Sequence, residues 1–428
     1  MDPTTLAALD HKHLWHPFTQ QAEWTATPPL IIASAQGCSL TDVQGRTYID
    51  GVSSLWTNVH GHRHPRLDAA LTAQLDAVAH STMLGLTHPP AIHLATRLAQ
   101  VTPDGLTRTF FSDNGSTATE VALKMAFQYQ QQIGQTRRTR FVALRDAYHG
   151  DTIGAVSVGS IDLFHAIYRP LLFDALALPA PIEAGGAEEA DCLARALALL
   201  EEHAETLAAF LFEPLVQGAA GMKMHSPEFL RTLATRAREL GVLLIADEVA
   251  VGFGRTGTLF AMDQVGVAPD LLCLAKGLAA GYLPISATLT TEAIYEAFLA
   301  HPDAHRQFFH GHTFTGNPLA CAVALENLSL LDGLDTAPLE RALARGLASL
   351  SQREDVLGVR QRGVMVGIDL RSDGQPRFGH RVAMACRPLG AIVRPLGDTI
   401  VLNPPLALSP AEAARLVAIV GEALDGLT

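Results

Sequence analysis

Short apolar runs alternate with longer stretches of helical spacing through the middle of this chain, and the other features can be placed against that pattern. Thr107 to Ser112 reads as a strand and Thr117 to Gln130 as a helix, followed by a strand at Arg140 to Leu144. The order then repeats: a helix over Leu193 to His203 before a strand at Ala208 to Glu213, and a helix over Pro227 to Leu240 before a strand at Val242 to Asp247. Leu271 to Ala275 is the next strand. This predicts an α/β fold, a mostly parallel sheet covered on both faces by helices, with ligands beyond the carboxyl ends of the strands.

The pattern changes at both ends of the chain. Leu30 to Asp50 alternates weakly around the turn Asp42-Val43-Gln44-Gly45 and reads as short antiparallel strands. Arg66 to His80 and Pro90 to Gln100 have helical spacing, and after Leu331 helices mix with strand groups at Gly363 to Leu370 and Ala391 to Leu402 before a final helix from Ser409 to Leu424. We therefore expect residues 1–65 to contribute to a small α+β domain, 66–331 to form the large domain, and 332–428 to complete the small one.

Composition narrows the function. With 428 residues the chain exceeds one typical core, and a hydrophobic share of 48% excludes a disordered chain. The net charge of −12, without a Lys/Arg cluster, argues against nucleic acid. Met1 to Trp15 does not resemble a signal peptide, and no apolar run has membrane length, so a cytoplasmic protein is expected. Cys38, Cys192, Cys273, Cys321 and Cys386 are scattered singly, which suits a reducing compartment. The pairs His11/His13, His62/His64 and His310/His312 have metal-ligand spacing but no accompanying carboxylate or cysteine set.

Only four of the 31 basic residues are lysines: Lys12, Lys124, Lys223 and Lys276. Lys276 ends a buried strand, where an amine of lowered pKa can form a Schiff base and a guanidinium cannot. The alternative is a snorkelling lysine with its ammonium in water. Asp247, at another strand end, could keep a pyridine nitrogen protonated. Ser112-Asp113-Asn114-Gly115-Ser116 leads into Thr117-Ala118-Thr119-Glu120, read as a capping box whose helix start could receive a phosphate. Tyr148-His149 could lay an aromatic face over a planar ring. Gly252-Phe253-Gly254-Arg255-Thr256-Gly257 matches GxGxxG, but its glycines do not join strand to helix, so a dinucleotide site is discounted. Lysine, aspartate, Gly-Ser helix start and aromatic together describe pyridoxal 5'-phosphate.

Through Ser112–Ser116, Ala147–Gly150, Ile245–Val249 and Gly252–Gly257 the chain resembles the fold-type I pyridoxal-phosphate enzymes of aminotransferase class III, the omega-aminotransferases. Leu14-Trp15-His16-Pro17-Phe18-Thr19-Gln20, Asp50–Trp56 and His310–Pro318 are similar to the 7,8-diaminopelargonic acid aminotransferases of biotin biosynthesis within that family. The resemblance implies that Lys276 holds the cofactor and then moves the proton between the substrate Cα and the cofactor C4′, with Phe18 beside it among the catalytic positions. It implies that Gly115 and Ser116 hold the phosphate, that Tyr148 and His149 line the ring, and that Asp247 pairs with the ring nitrogen. It further implies that His312 and Thr313 reach the cofactor phosphate of a partner subunit, and with that a homodimer. The same resemblance implies that Arg394 takes the carboxylate of 8-amino-7-oxononanoate, that Trp56, Phe18 and Gly311 line the substrate chain and that Tyr148 also touches substrate. Phe18, Leu55, His312 and Val401 depart from the S-adenosylmethionine-using pattern, and Phe18, Leu55-Trp56 and His310-Gly311-His312-Thr313 are similar to a branch with some lysine-dependent members. S-adenosylmethionine is the expected amino donor; the alternatives are lysine as donor to the same acceptor, or another omega-aminotransferase acting on diamines or omega-amino acids.

Overall fold

The apolar runs of the middle of the chain pair into one seven-stranded sheet in a computed structural model that describes residues 2–427. Its strands, labelled in chain order within this sheet, are β1 (Leu106–Ser112), β2 (Arg140–Leu144), β3 (Ala175–Leu178), β4 (Leu207–Phe212), β5 (Leu243–Asp247), β6 (Leu271–Leu274) and β7 (Ser286–Thr291). They lie in the order β1-β7-β6-β5-β4-β2-β3. β7 runs antiparallel to both neighbours, and the remaining pairs are parallel. Every residue of β4 is buried, as expected of a strand covered by helices on both faces.

Two of these strands were not anticipated. β3 is only four residues long, and β7 hides its identity behind hydroxyls. Ser286 and Thr288 are fully buried, and the Thr288 Oγ1 donates to the Ala118 carbonyl at 2.9 Å while the Thr290 Oγ1 donates to the Asp270 carbonyl at 3.1 Å. A run of Ser and Thr reads as polar, yet each of these threonine hydroxyls has a local acceptor, so burial costs little.

The helix that follows β1 runs Gly115–Gln132 and packs on β6 and β7. Its cap differs from the expected one. Asn114 is the N-cap, its side chain accepting from the Thr117 N–H at 3.0 Å, while the Thr117 Oγ1 accepts from the Asn114 N–H at 3.2 Å. Glu120 instead accepts from the N–H of Gly154 at 2.7 Å and of Ala155 at 3.3 Å.

The ends of the chain meet in a second sheet. Ile32–Gln36, Ser39–Asp42 and Thr47–Asp50 form an antiparallel set, and Ala391–Ile392 adds to it in parallel, Ala391 opposite Ile49. A third sheet holds Val356–Arg362, Met365–Leu370, Thr399–Leu402 and Arg394–Leu396 in that order. The last helix, Pro410–Asp425, starts on the capping box of Ser409 and Glu412. Among the described residues no helix is long and apolar enough to cross a membrane.

Candidate functional site

The carboxyl ends of β1, β4, β5 and β6 open on one cavity of about 470 Å³, lined by Trp56, Gly115, Ser116, Tyr148, His149, Asp247 and Lys276 together with Glu213. Seven residues expected from sequence are therefore gathered from five separate segments. Parallel strands bring their carboxyl ends to one edge, which is why strand-end residues distant in sequence meet there.

Asp247 forms the floor. It is 4% exposed; its Oδ2 accepts from the Nδ1 of His149 at 2.7 Å and its Oδ1 accepts from the Val249 N–H at 3.0 Å. Lys276 begins the turn Lys276–Ala279 directly after β6, with its Nζ 5.3 Å from the centre of the Trp56 ring. Burial lowers the Lys276 pKa, while the charges of Asp247 and Glu213 pull it back up. Gly115 does allow a close approach, but to protein: a Cβ there would stand 2.7 Å from Cγ1 of Val249.

Trp56 is held by strained backbone. Ser53, Ser54, Leu55 and Trp56 all have positive φ, at 51°, 58°, 134° and 65°. Such non-glycine positions cost about 1–3 kcal/mol each and persist only where the surroundings enforce them. Here Asp50 accepts from both the N–H and the Oγ of Ser54 at 2.8 Å, and the Ser53 Oγ donates to the Asn403 carbonyl at 2.7 Å.

Tyr148 donates from its hydroxyl to Asp151 at 2.7 Å and stacks on His165 with 6.2 Å between ring centres. Phe18 is 60% exposed and does not line the cavity; it meets Phe164 edge-on at 5.3 Å, and Phe164 in turn meets Tyr148. A benzyl ring has no proton to give or take, so what Phe18 offers here is an apolar contact. Arg394 is half-buried outside the lining, and no hydrogen bond or ion pair engages its guanidinium among the described residues. Its charge is felt by both Tyr148 and Lys276. Gly311, His312 and Thr313 lie elsewhere, lining a second cavity of about 670 Å³ with His80 and Phe110.

Glu213 was missed, although the signal used for Asp247 also marks it: a carboxylate directly after an apolar parallel strand. It is 4% exposed and accepts from the N–H of Tyr148 at 3.2 Å and of Gly218 at 2.9 Å. Burial pushes its pKa up to about 7, with the Asp247 charge adding to the rise and His149 opposing it. Glu248, fully buried and accepting from the N–H groups of Ala261 and Met262, is pushed up to about 8, again first by burial.

These shifts set a pH dependence. A carboxyl that holds its proton more tightly folded than unfolded contributes stability below its ordinary value of 4.5 and loses it as pH rises through 7 for Glu213 and 8 for Glu248. Burial depresses His60 to about 4 and His225 to about 3, so they cost stability only below their ordinary 6.5. The melting temperature of the cofactor-free protein is expected to fall from about pH 6.5 to about pH 8, and Glu213→Gln to flatten the lower part of that slope. Coincident slopes for the wild type and the variant would contradict the assignment.

The residues present suit pyridoxal phosphate. A buried carboxylate lines the cavity, a lysine amine stands over an indole with no hydrogen-bond acceptor among the described residues, and a helix start closes one side. Comparison with known proteins points the same way. The profile of the aminotransferase class-III family matches residues 20–424. The adenosylmethionine-8-amino-7-oxononanoate aminotransferase of Nitratidesulfovibrio vulgaris is 51% identical over 447 residues, spanning 99% of this chain and 82% of that protein. Its counterpart from Geobacter sulfurreducens is 45% identical, spanning 97% and 96%. The crystal structure of the enzyme of the same name from Methanocaldococcus jannaschii superposes with a TM-score of 0.95 at 38% identity, covering 99% of both chains. An (S)-enantioselective omega-transaminase from Thermomicrobium roseum gives 0.93 at 35% identity, covering 100% of this chain and 99% of that one.

Proposed function

The chain belongs to the aminotransferase class-III family, and on that premise we propose that it is a pyridoxal-phosphate-dependent transaminase of 8-amino-7-oxononanoate. It forms 7,8-diaminononanoate in biotin biosynthesis, with S-adenosylmethionine as amino donor. The observation that carries the chemistry is the convergence of Lys276, Asp247 and the Gly115–Ser116 helix start on one cavity. The choice of acceptor and donor is supported by identity, over nearly the whole chain, to enzymes whose names contain both.

Bound in this cavity, pyridoxal phosphate supplies an aldehyde that condenses with amines and a protonated ring that draws electrons from the attached carbon. Asp247 presents the buried negative charge that keeps a ring nitrogen protonated, and His149 holds that carboxylate in place. Gly115 and Ser116 offer the first N–H groups of a helix to the phosphate. Lys276 would hold the cofactor covalently, and its Nζ, when free, would take the proton from the carbon that bears the amino group. Its lowered pKa enlarges the neutral fraction able to accept that proton. Trp56 and Tyr148 wall the substrate chain, and the unpaired Arg394 receives the acceptor's carboxylate in a bidentate pair.

The reading extends to assembly. The protein works as a homodimer in which Gly311, His312 and Thr313 serve the partner's site, supported by their position on a cavity separate from that of Lys276. Residues 1–65 and 332–428 form the small domain around the large one at 66–331, supported by the sheet that joins Ala391–Ile392 to Thr47–Asp50. A cytoplasmic location is in keeping with five buried free cysteines.

The test is a half-reaction. Enzyme loaded with pyridoxal phosphate is mixed with S-adenosylmethionine or with lysine, and the cofactor's visible band is followed. S-adenosylmethionine is expected to convert it to the pyridoxamine form and 8-amino-7-oxononanoate to restore it. Conversion by lysine alone would reassign the donor, and conversion by neither would overturn the function.

A further inference from the structure

The turn that carries Lys276 is gripped from two sides by residues with no part in the chemistry above. Lys276 has a φ of +38° and Ala280, just after the turn, +51°. On one side Gly277 lies against Phe253, where a Cβ would stand 2.9 Å from Cδ2 of the ring. The GxGxxG run therefore has a structural task, since it delivers Phe253, itself buried at φ +58°.

On the other side stands Asn327, fully buried in the helix Pro318–Leu331. Its Nδ2 donates to the Gly277 carbonyl at 2.8 Å and to the Leu278 carbonyl at 2.9 Å, and its Oδ1 accepts from Nε2 of His60 at 2.9 Å. Both amide hydrogens are thus used. A flipped amide would aim an oxygen at two carbonyl oxygens, and the Nε2–H of His60 selects against that orientation. Without Asn327 the buried Leu278 carbonyl loses this donor, and an unpaired buried carbonyl is costly.

We infer that Asn327, oriented by His60, is a positioning residue for Lys276: by clamping the Gly277 and Leu278 carbonyls it holds the strained turn that aims the lysine amine into the cavity. The inference rests on the aminotransferase reading of Lys276. In the pyridoxal-phosphate-loaded enzyme, Asn327→Ala is expected to lower kcat about 100-fold, the cost of a misplaced reacting group. KM for both substrates stays within about twofold, because binding contacts are untouched. The visible circular dichroism per bound cofactor weakens, since the attachment point is no longer held in one orientation. His60→Leu acts in the same direction, while His60→Gln, whose amide nitrogen can still donate to the Asn327 Oδ1, keeps kcat within about threefold of wild type.

A merely structural role would lower the melting temperature and leave kcat and dichroism unchanged per loaded molecule, and that result overturns the inference. If Asn327→Ala does not fold, the His60 pair decides: a split between Leu and Gln supports the clamp, and equal values overturn it. Failure of the wild type to fix pyridoxal phosphate on Lys276 would instead overturn the aminotransferase reading itself.

Discussion

Replacing Lys276 with glycine is expected to lower turnover by at least about 10⁴-fold, because both the covalent attachment and the proton-moving group are lost together. Glycine is the informative choice, since at φ +38° it relieves backbone strain where alanine would keep it. The folded state should therefore survive, and a normal melting curve would show that the loss is chemical. Lys276→Arg should lose as much activity while keeping the positive charge, separating nucleophile from electrostatics. Borohydride treatment of the loaded wild type should fix the cofactor on Lys276. Two other lysines are engaged elsewhere: Lys223 pairs with Asp146 at 2.6 Å, and Lys124 contacts Nδ1 of His310 at 3.0 Å. Turnover in Lys276→Gly within about tenfold of wild type would remove this residue from the mechanism.

That lysine could be picked out from sequence because a parallel sheet turns strand ends into neighbours. Lys276, Asp247, Gly115 and Tyr148 each follow an apolar run, so once the runs were read as strands their meeting followed from topology. Glu213 follows such a run too, and the same rule would have found it. Other features were hidden for physical reasons. β7 reads as polar because its threonine hydroxyls are satisfied inside the fold rather than in water. The spacing of three that marks a capping box occurs twice, at Asn114/Thr117 and at Thr117/Glu120, and only the packed structure shows Glu120 committed to Gly154 and Ala155. Asn327 sits in mid-helix, where nothing local distinguishes a polar residue that clamps a distant turn from one that faces solvent. His312 and Thr313 carry roles that the family resemblance places across a subunit boundary, which the geometry of one chain does not contain.

The carboxylate of Asp247 is expected to contribute about 10³-fold to turnover, the scale of one preorganised charge in a dry site. Asp247→Asn tests it with little change of shape. Oδ1 can still accept from the Val249 N–H, but the new amide would meet the Nδ1 of His149 donor to donor. His149 can respond by moving its proton to Nε2, which is buried without a partner among the described residues. The ring therefore stays in place while the negative charge disappears. Two consequences follow, and the loss of the electron sink outweighs the larger neutral fraction of Lys276. A ring nitrogen in the cavity loses the charge that would keep it protonated, so the electron sink weakens. Lys276 also loses the larger of the two carboxylate charges that oppose its lowered pKa. The expected variant binds cofactor on Lys276, melts close to wild type and turns over about 10³-fold more slowly, with both half-reactions affected because both use the same sink. Turnover within about tenfold of wild type would show that the buried carboxylate is structural, and a selective loss in only one half-reaction would place Asp247 on the substrate instead of the ring.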